Sequence, residues 1–288
     1  MKRSRYLAPK RQTLIWLALA GYAVFALFPL IWVVMMSFKS HIDIISPVPK
    51  FIFTPSLENY KAILFGGQSM QYEAGQTDFL LYFKNSCIIT ISAVVLSLLA
   101  GVPASYALAR YRFRFKDDIA FTFLSFRFAP EIAVIIPIYI LYQKLHLYNT
   151  YVGLIFVYQL ITLPLIVWII RGYFEDISVE IEQAAKLDGY SWWGVFTKIA
   201  LPLVKPGLAS TAVLAFIFAW NNFIFGLILG SSDTYPSTVG TLGFISYESV
   251  LWGQMAAATV ITIMPPLILA IFIQKYLVRG LTMGAIRG

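Results

Sequence analysis

The chain has 288 residues, of which 59% are hydrophobic and 12% charged, and its mean hydropathy is +0.75. This composition excludes an ordinary soluble globular domain and indicates an integral membrane protein. The net charge of +8 does not indicate nucleic-acid binding, because the basic residues lie beside apolar runs instead of clustering on a soluble surface. The single cysteine, Cys87, excludes an internal disulfide and a metal cluster built from cysteines.

Six apolar segments are long enough to cross a membrane, since a helix needs about 20 mostly apolar residues to span the hydrocarbon core. The first segment follows a basic tail, residues 1–12, and is too long for the core of a cleaved signal peptide, so we expect a retained span. The predicted spans are residues 13–37, 85–109, 119–143, 151–170, 207–230 and 249–274. The sequence therefore predicts an all-α membrane protein with six transmembrane helices, formed by a single domain over residues 1–288.

The basic residues predict the orientation of these spans. Sixteen of the 22 Lys and Arg residues lie in the two terminal tails and in the loops after spans two and four. Cytoplasmic flanks carry the basic excess in membrane proteins, so we expect both termini, the tail 275–288 and the loop 171–206 to face the cytoplasm. The loop 38–84 then faces outward. There we expect short helices and a mobile insertion around its Gly and Gln residues, Gly66, Gly67, Gln68, Gly75 and Gln76.

The cytoplasmic loop 171–206 has the pattern of two short helices at an angle. Gly189 follows the first helix, where glycine supplies the left-handed conformation that ends many helices. Ser191 is placed to cap a second helix from Trp192 to about Ile199, which prolines then end. Those prolines are Pro202 and Pro206.

The first of these helices has two predicted faces. Glu182 and Lys186 form an i,i+4 pair on one face. Small and apolar side chains form a stripe on the other, made of Ile177, Ile181, Ala184 and Ala185. Small residues let another protein approach closely, so we interpret this segment as a docking helix. The neighbouring Trp192 and Trp193 fit the same partner, and an interfacial belt of aromatic residues is their alternative explanation.

The segment from Glu182 to Pro202 resembles the EAA loop of binding-protein-dependent ABC importer permeases. It has the spacing Glu-x-Ala-Ala-x-x-x-Gly, then nine residues, then Ile-x-Leu-Pro. One position departs from the family pattern, because Gln183 stands where the motif's own glutamate is usual. Glu182 stands just before it, and a salt bridge carried by the motif's glutamate is therefore expected to be weakened or shifted.

Other phrases extend the resemblance over nearly the whole chain. They are similar to segments of the carbohydrate importers in this family. Within that branch they resemble the smaller, six-span permease subunit of the maltose-transporter type. These phrases lie at residues 57–60, 82–86, 103–110, 219–221 and 280–285. The resemblance implies a type I ABC importer permease fold with a cytoplasmic coupling helix, in a bacterial or archaeal cytoplasmic (inner) membrane.

The resemblance also implies partners and function. It implies a heterodimer with a second permease, an ATPase subunit dimer that binds ATP and Mg, and an extracytoplasmic solute-binding protein that delivers a sugar. This chain itself would bind no cofactor, and it would contact the ATPase through its coupling loop. The expected coupling residues are Glu182, Gln183, Ala184, Ala185, Asp188, Gly189, Leu201 and Pro202.

Polar side chains inside the predicted spans are candidates for the sugar pathway, because polar groups are costly in a bilayer. Trp220, Asn221 and Asn222 on span five place an aromatic ring beside amides, a combination that stacks on sugars and hydrogen-bonds to them. Interhelical hydrogen bonding is the alternative explanation of these amides. Tyr158 and Gln159 on span four form a second candidate patch.

Span three contributes two charged candidates. Arg127 and Glu131 lie four residues apart and are expected on one helix face as a neutralising pair. Pro130 and Pro137 predict a kink or a break in the same span, and a broken helix often lines a cavity.

Two other functions compete with an importer permease. An intramembrane enzyme needs paired carboxylates, a nucleophile with its base or a zinc site, but the only histidines are His41 and His146, both predicted outside the spans. An ion-coupled carrier acting alone usually buries several carboxylates and has inverted halves, and neither is evident. No phosphate-binding Gly-x-x-x-x-Gly-Lys-Ser/Thr segment occurs either. We therefore predict a transport subunit with no catalytic residue and no metal site.

Overall fold

A computed structural model describes residues 9–65, 78–245 and 250–284, with side chains for residues 12–65, 78–245 and 250–274. Residues 1–8, the Gly/Gln stretch of the outer loop and residues 285–288 lie outside the described residues. Throughout the described part the regular structure is helical apart from one isolated antiparallel bridge, Ile245 with Val250, which confirms the all-α prediction.

The α-helices are α1 (Pro9–Ser37), α2 (His41–Ile44), α3 (Glu58–Phe65), α4 (Phe79–Arg110), α5 (Lys116–Ser125), α6 (Glu131–Lys144), α7 (Tyr151–Val157), α8 (Gln159–Glu175), α9 (Val179–Leu187), α10 (Trp192–Val195), α11 (Leu201–Leu203), α12 (Lys205–Trp220), α13 (Ile224–Leu229), α14 (Ser237–Gly240) and α15 (Trp252–Gly284). Two 3₁₀ turns, Phe126–Phe128 and Thr241–Phe244, and one π turn, Phe196–Ala200, join some of them.

Four helical stretches in the described residues are long and apolar enough to cross a membrane, and six if each of two bent helix pairs counts as one span. The four stretches are Gln12–Ser37, Phe79–Arg110, Tyr151–Glu175 and Trp252–Gln274. They overlap the first, second, fourth and sixth predicted spans. The last helix continues past the predicted end of span six, to Gly284.

The third predicted span is broken. Its halves, Lys116–Phe128 and Glu131–Lys144, meet at 99°. Ala129 and Pro130 both have extended backbone at the junction, as expected where the residue before a proline avoids the helical region. Pro137 lies inside α6 and does not interrupt it. The predicted break is therefore located at Pro130.

The fifth predicted span, 207–230, is not one continuous helix. Helix α12 ends at Trp220, and α13 begins at Ile224. Between them the side-chain oxygen of Asn222 accepts a hydrogen bond from the backbone N–H of Phe225 at 3.1 Å. A short polar side chain that satisfies a free amide in this way competes with helix continuation and starts a new helix instead.

The chain divides into two compact units. The first contains residues 1–77 and 243–261, including α1, α2 and α3, so short helices are present in the loop 38–84 as expected. There the Asn59 amide donates to the carbonyls of Ser37 and Lys39 at 3.0 and 2.8 Å, and the hydroxyls of Ser37 and Tyr60 lie 2.7 Å apart. These contacts fix the chain where it leaves α1.

The second unit, residues 78–242 and 262–288, contains the helices that position the candidate site. Helices α4, α8 and α12 pack through a core that includes Val102, Ile166, Ile170, Phe174 and Ala215. A Cβ atom on Gly101 would lie 2.9 Å from Ile166, which shows how closely α4 and α8 approach. Close packing of this kind is a main source of stability between helices in lipid, where no hydrophobic driving force acts between them.

Candidate functional site

The first helix of the loop 171–206, α9, has well-defined ends. At its start the Ser178 hydroxyl hydrogen-bonds to the Glu180 carboxylate, and this bond lowers the Glu180 pKa. At its end Gly189 has φ +89°, and the N–H groups of Tyr190 and Gly189 donate to the carbonyls of Ala185 and Lys186, both at 3.1 Å. This is the double hydrogen bond of a Schellman cap, so the predicted role of Gly189 as a helix stop agrees with its geometry.

Glu182 anchors α9 to the end of α4. Its side chain is 3% exposed, and its carboxylate accepts hydrogen bonds from Arg110 Nε at 2.7 Å and from the Tyr106 hydroxyl at 2.8 Å. Arg110 also donates to the carbonyl of Ile177 at 3.0 Å and is itself only 9% exposed. A buried carboxylate with two donors, one of them charged, holds two elements in one arrangement. We name this cluster of Tyr106, Arg110 and Glu182 the latch.

The latch corrects the predicted pairing of Glu182 with Lys186. Lys186 instead places its Nζ 3.3 Å from the ring centroid of Trp192. Gln183, which stands at the position of the family's usual glutamate, is exposed. The ion pair with Arg110 is formed by the neighbouring residue, Glu182. Tyr106 and Arg110 were not singled out as site residues from the sequence. Their i,i+4 spacing at the end of span two, inside the phrase 103–110, was the available signal.

The predicted single apolar stripe on α9 is wrong, because its members point in different directions. Ala185 is buried with Glu182 against the membrane domain, whereas Ile181 and Ala184 are exposed. The exposed face of the loop also includes Asp188 and Leu187, whose side chain is 91% exposed. The anchored face is therefore partly ionic, and the face open to a partner is partly apolar.

The second helix of the loop begins as predicted. The Ser191 hydroxyl accepts the Gly194 N–H at 3.2 Å, and Trp192 and Trp193 stay exposed at 58% and 68%. The helical path does not end at Pro202, which corrects the prediction. The π turn Phe196–Ala200 precedes it, and α11 runs through Leu201 and Pro202. The wider π turn gives room to a ring that would collide with the carbonyl four residues earlier in a regular α-helix.

Pro206 also differs from the prediction. It lies in the first turn of α12, where a proline needs no N–H partner, so it begins a helix instead of ending one. The stretches Trp192–Leu203 and Lys205–Trp220 meet at 74°, so the chain turns sharply between them. The loop also has exposed apolar side chains close together in sequence, namely Leu187, Trp192 and Trp193. An exposed apolar surface of this kind is typical of a site where another protein binds.

Two of the candidate pathway residues, the buried Trp220 and the partly buried Gln159, hydrogen-bond to neighbouring helices. Trp220 is 1% exposed and donates its ring N–H to the carbonyl of Thr262 at 2.9 Å. The Gln159 amide donates to the carbonyls of Ala93 and Ile155, and its oxygen accepts from Ser97. Their polar groups are thus satisfied by neighbouring helices, as in the alternative explanation of interhelical hydrogen bonding.

The predicted pair of Arg127 and Glu131 does not form, because the break at Pro130 puts the two residues on different helical segments. Glu131 instead accepts a hydrogen bond from the Asn222 amide at 2.9 Å. This contact joins the break in span three to the break in span five. Arg127 is exposed and lies with its guanidinium 4.8 Å from the ring centroid of Phe218.

Tyr158 and Asn221 have different surroundings. Tyr158 is buried, and its hydroxyl has no hydrogen-bond partner among the described residues. Asn221 is exposed and donates to the carbonyl of Ile217 in its own helix at 2.9 Å. Of the seven candidate pathway residues, only Arg127 and Asn221 are exposed. Within the described residues, no three His, Cys, Asp or Glu side chains form a group that could hold a metal ion.

Comparisons with known proteins agree with this architecture. A family described as "Binding-protein-dependent transport system inner membrane component" matches residues 101–283. The probable ABC transporter permease protein y4oR of Sinorhizobium fredii is 38% identical, with 96% of this chain and 94% of that protein covered. The trehalose/maltose transport system permease protein MalG of Thermococcus litoralis is 34% identical, with 92% and 93% covered.

A solved structure extends the agreement to the fold. A chain of a bacterial ABC transporter involved in the import of the acidic polysaccharide alginate superposes with a TM-score of 0.76 at 23% identity. The superposition covers 95% of this chain and 99% of that one. This likeness confirms the predicted importer permease fold. Because the family match extends over more than half of the chain, the chain belongs to the family of binding-protein-dependent transport system inner membrane components.

Proposed function

We propose that this chain is a permease subunit of an ABC importer that moves a sugar or sugar derivative across the cytoplasmic membrane by alternating access. One observation carries the proposal: α9 is anchored to α4 by the latch, while its other face is open and partly apolar. Such a segment can take up the motion of an ATPase and pass it to a membrane-spanning helix without deforming.

The latch makes this transmission mechanically direct. Glu182 lies on the cytoplasmic helix and Arg110 at the end of the 32-residue helix α4, so a displacement of α9 pulls on a helix long enough to cross the bilayer. The cap at Gly189 and the packing of Phe196 against Tyr106, with ring centroids 4.9 Å apart, hold the second half of the loop to the same helix. The loop therefore moves with α4 instead of bending away from it.

The proposed complex has partners that supply what this chain lacks. ATP and Mg bind to an ATPase dimer, whose surface receives Leu187, Trp192 and Trp193. A second permease completes the pathway, and an extracytoplasmic binding protein delivers the sugar. The family description, binding-protein-dependent transport, supports the last of these partners. The loop 171–206 and both termini face the cytoplasm in this arrangement, in keeping with their excess of Lys and Arg.

A carbohydrate substrate is supported by the relatives and by the chemistry of the exposed pathway residues. The permease from Thermococcus litoralis is named for trehalose and maltose transport and is similar over almost the whole chain. Asn221 offers an amide beside exposed aromatic rings such as Phe218. Amides and aromatic faces together bind the hydroxyls and the apolar faces of sugar rings.

The test is ATP hydrolysis by the complex, co-expressed with the products of neighbouring genes, reconstituted in liposomes and assayed against a panel of sugars with the binding protein present. We expect one sugar to stimulate hydrolysis and to accumulate inside the liposomes. Sugar uptake that continues without ATP would favour an ion-coupled carrier. A complex that assembles but responds to no sugar would contradict the carbohydrate assignment.

A further inference from the structure

Arg127 is a charged side chain without a charged partner among the residues that the structure describes. It is exposed in the 3₁₀ turn Phe126–Phe128, near the middle of the segment 116–144. No Asp or Glu oxygen of the described residues lies within 4.0 Å of its guanidinium. An arginine at membrane depth is costly unless it faces a water-filled cavity or an anionic group.

Glu131 is the carboxylate nearest to Arg127 in sequence, but it does not form an ion pair with Arg127. The break at Pro130 separates it from Arg127, and the Asn222 amide donates to its Oε1 at 2.9 Å. The carboxylate is thereby held at the junction of the two broken spans. The positive charge of Arg127 therefore remains available to a ligand.

The surroundings of Arg127 suit a sugar ring. Its guanidinium lies over the face of Phe218, which orients its donors. Phe126, Phe128 and Phe218 are exposed at 51%, 76% and 45%, and Phe218 is the ring that the guanidinium contacts. Asn221 follows Phe218 by three residues on the same helix face, and its amide oxygen has no hydrogen-bond partner within the described residues.

We propose that Arg127 binds the carboxylate of an acidic sugar, a uronate, as the sugar passes through the permease. The guanidinium fork matches a carboxylate bidentately, and the Asn221 amide oxygen accepts a hydrogen bond from a sugar hydroxyl. This inference rests on the proposed function and names the substrate class of the same pathway. The position at a helix break favours a substrate over a lipid phosphate, because broken spans line cavities near the midplane whereas lipid phosphates lie at the surface.

The test compares an acidic sugar with its neutral methyl ester. Probes are uronate disaccharides, their methyl esters, maltose and trehalose, each assayed for uptake by the complete importer in liposomes with saturating binding protein. Calorimetry on the binding protein alone first selects the probes that it delivers. We expect a uronate to be taken up, Arg127→Gln to slow its uptake about tenfold or more, and Arg127→Lys to fall between the two. Arg114→Gln removes an exposed arginine near the end of α4 and is the matched control, expected to match wild type.

The outcomes separate this inference from the proposed function. Uptake of neutral sugars only would overturn the inference and leave the importer intact. Uronate uptake unchanged in Arg127→Gln would also overturn it. If Arg127→Gln no longer co-purifies with the second permease, Arg127 pairs with a carboxylate of that subunit, which contradicts a substrate contact. A complex that responds to no sugar, acidic or neutral, would refute the proposed function as well.

Discussion

Removing the carboxylate of the latch tests how helix α9 of the loop 171–206 is held against α4. In Glu182→Ala, the Arg110 guanidinium, 9% exposed, and the Tyr106 hydroxyl keep their buried positions but lose their shared acceptor. Breaking a buried ion pair from one side costs about 3 to 5 kcal/mol, because the remaining charge is left uncompensated. At 1.36 kcal/mol per factor of ten, the population with α9 detached from α4 rises roughly 150- to 5,000-fold.

Amide hydrogen exchange over α9, measured by mass spectrometry on the purified complex, reports this opening directly. We expect exchange at residues 183–188 to accelerate by at least about a hundredfold in Glu182→Ala. Gln183→Ala, which changes the exposed neighbour in the same helix, is the matched control and keeps the wild-type rate. Replacing both partners with apolar residues, Glu182→Leu with Arg110→Met, should recover part of the protection. Equal exchange rates in Glu182→Ala and wild type would refute the latch.

Three further changes test other parts of the account. Gly189→Asp puts a branched side chain at φ +89°, so we expect sugar-stimulated ATP hydrolysis to be lost while the spans still insert, as membrane fractionation would show. Leu187→Glu places a charge on the exposed face of α9 that we propose docks on the ATPase, and we expect co-purification with the ATPase to fall at least about tenfold, measured by quantitative immunoblot. Asn222→Ala leaves Glu131 without its amide donor and the Phe225 N–H without an acceptor. Each unsatisfied group lowers the stability of the fold by about 1 to 3 kcal/mol, so we expect the thermal midpoint of the purified complex to drop.

Each of these variants has a matched control and a contrary result. Gly172→Ala changes a glycine with open space around it in a helix and should leave transport unchanged. Wild-type transport by Gly189→Asp would contradict the proposed passage of motion through the loop 171–206. Ile52→Glu adds the same charge to an exposed residue of the loop 38–84. If it reduces co-purification with the ATPase as much as Leu187→Glu does, the effect of the charge does not depend on its position. Asn221→Ala alters the exposed amide next to Asn222, and equal destabilisation by both would mean that the bond to Glu131 adds nothing.

The local features of this protein could be predicted from the sequence, and the long-range contacts could not. Gly189 and Ser191 act within a few residues, so the cap and the second helix start followed from spacing alone. Glu182 finds its partners 72 and 76 residues away, and nothing in its own helix distinguishes that contact from a pair with Lys186.

The helix breaks show the same limit inside the membrane. Pro130 marks the break in span three because proline restricts the residue before it. The break in span five has no proline and depends on the Asn222 side chain, which bonds both the Phe225 N–H and the distant Glu131. Residues 207–230 contain no charged side chain, so the pattern used to find the spans did not reveal where the helix ends. The separation of Arg127 from Glu131 depends on these breaks, so it could not be predicted from the sequence either.

The most direct test of the central claim is a site-specific cross-link from α9 to the ATPase. Cys87 is the only natural cysteine, so Leu187→Cys in a Cys87→Ser background gives a single reactive thiol on the proposed docking face, and Ile52→Cys gives an equally exposed one on the outer loop. With a short bifunctional reagent reactive toward thiols and amines, the account predicts that Leu187→Cys cross-links to the ATPase subunit and that Ile52→Cys does not. Failure of Leu187→Cys to cross-link in a complex that still transports sugar would contradict the account.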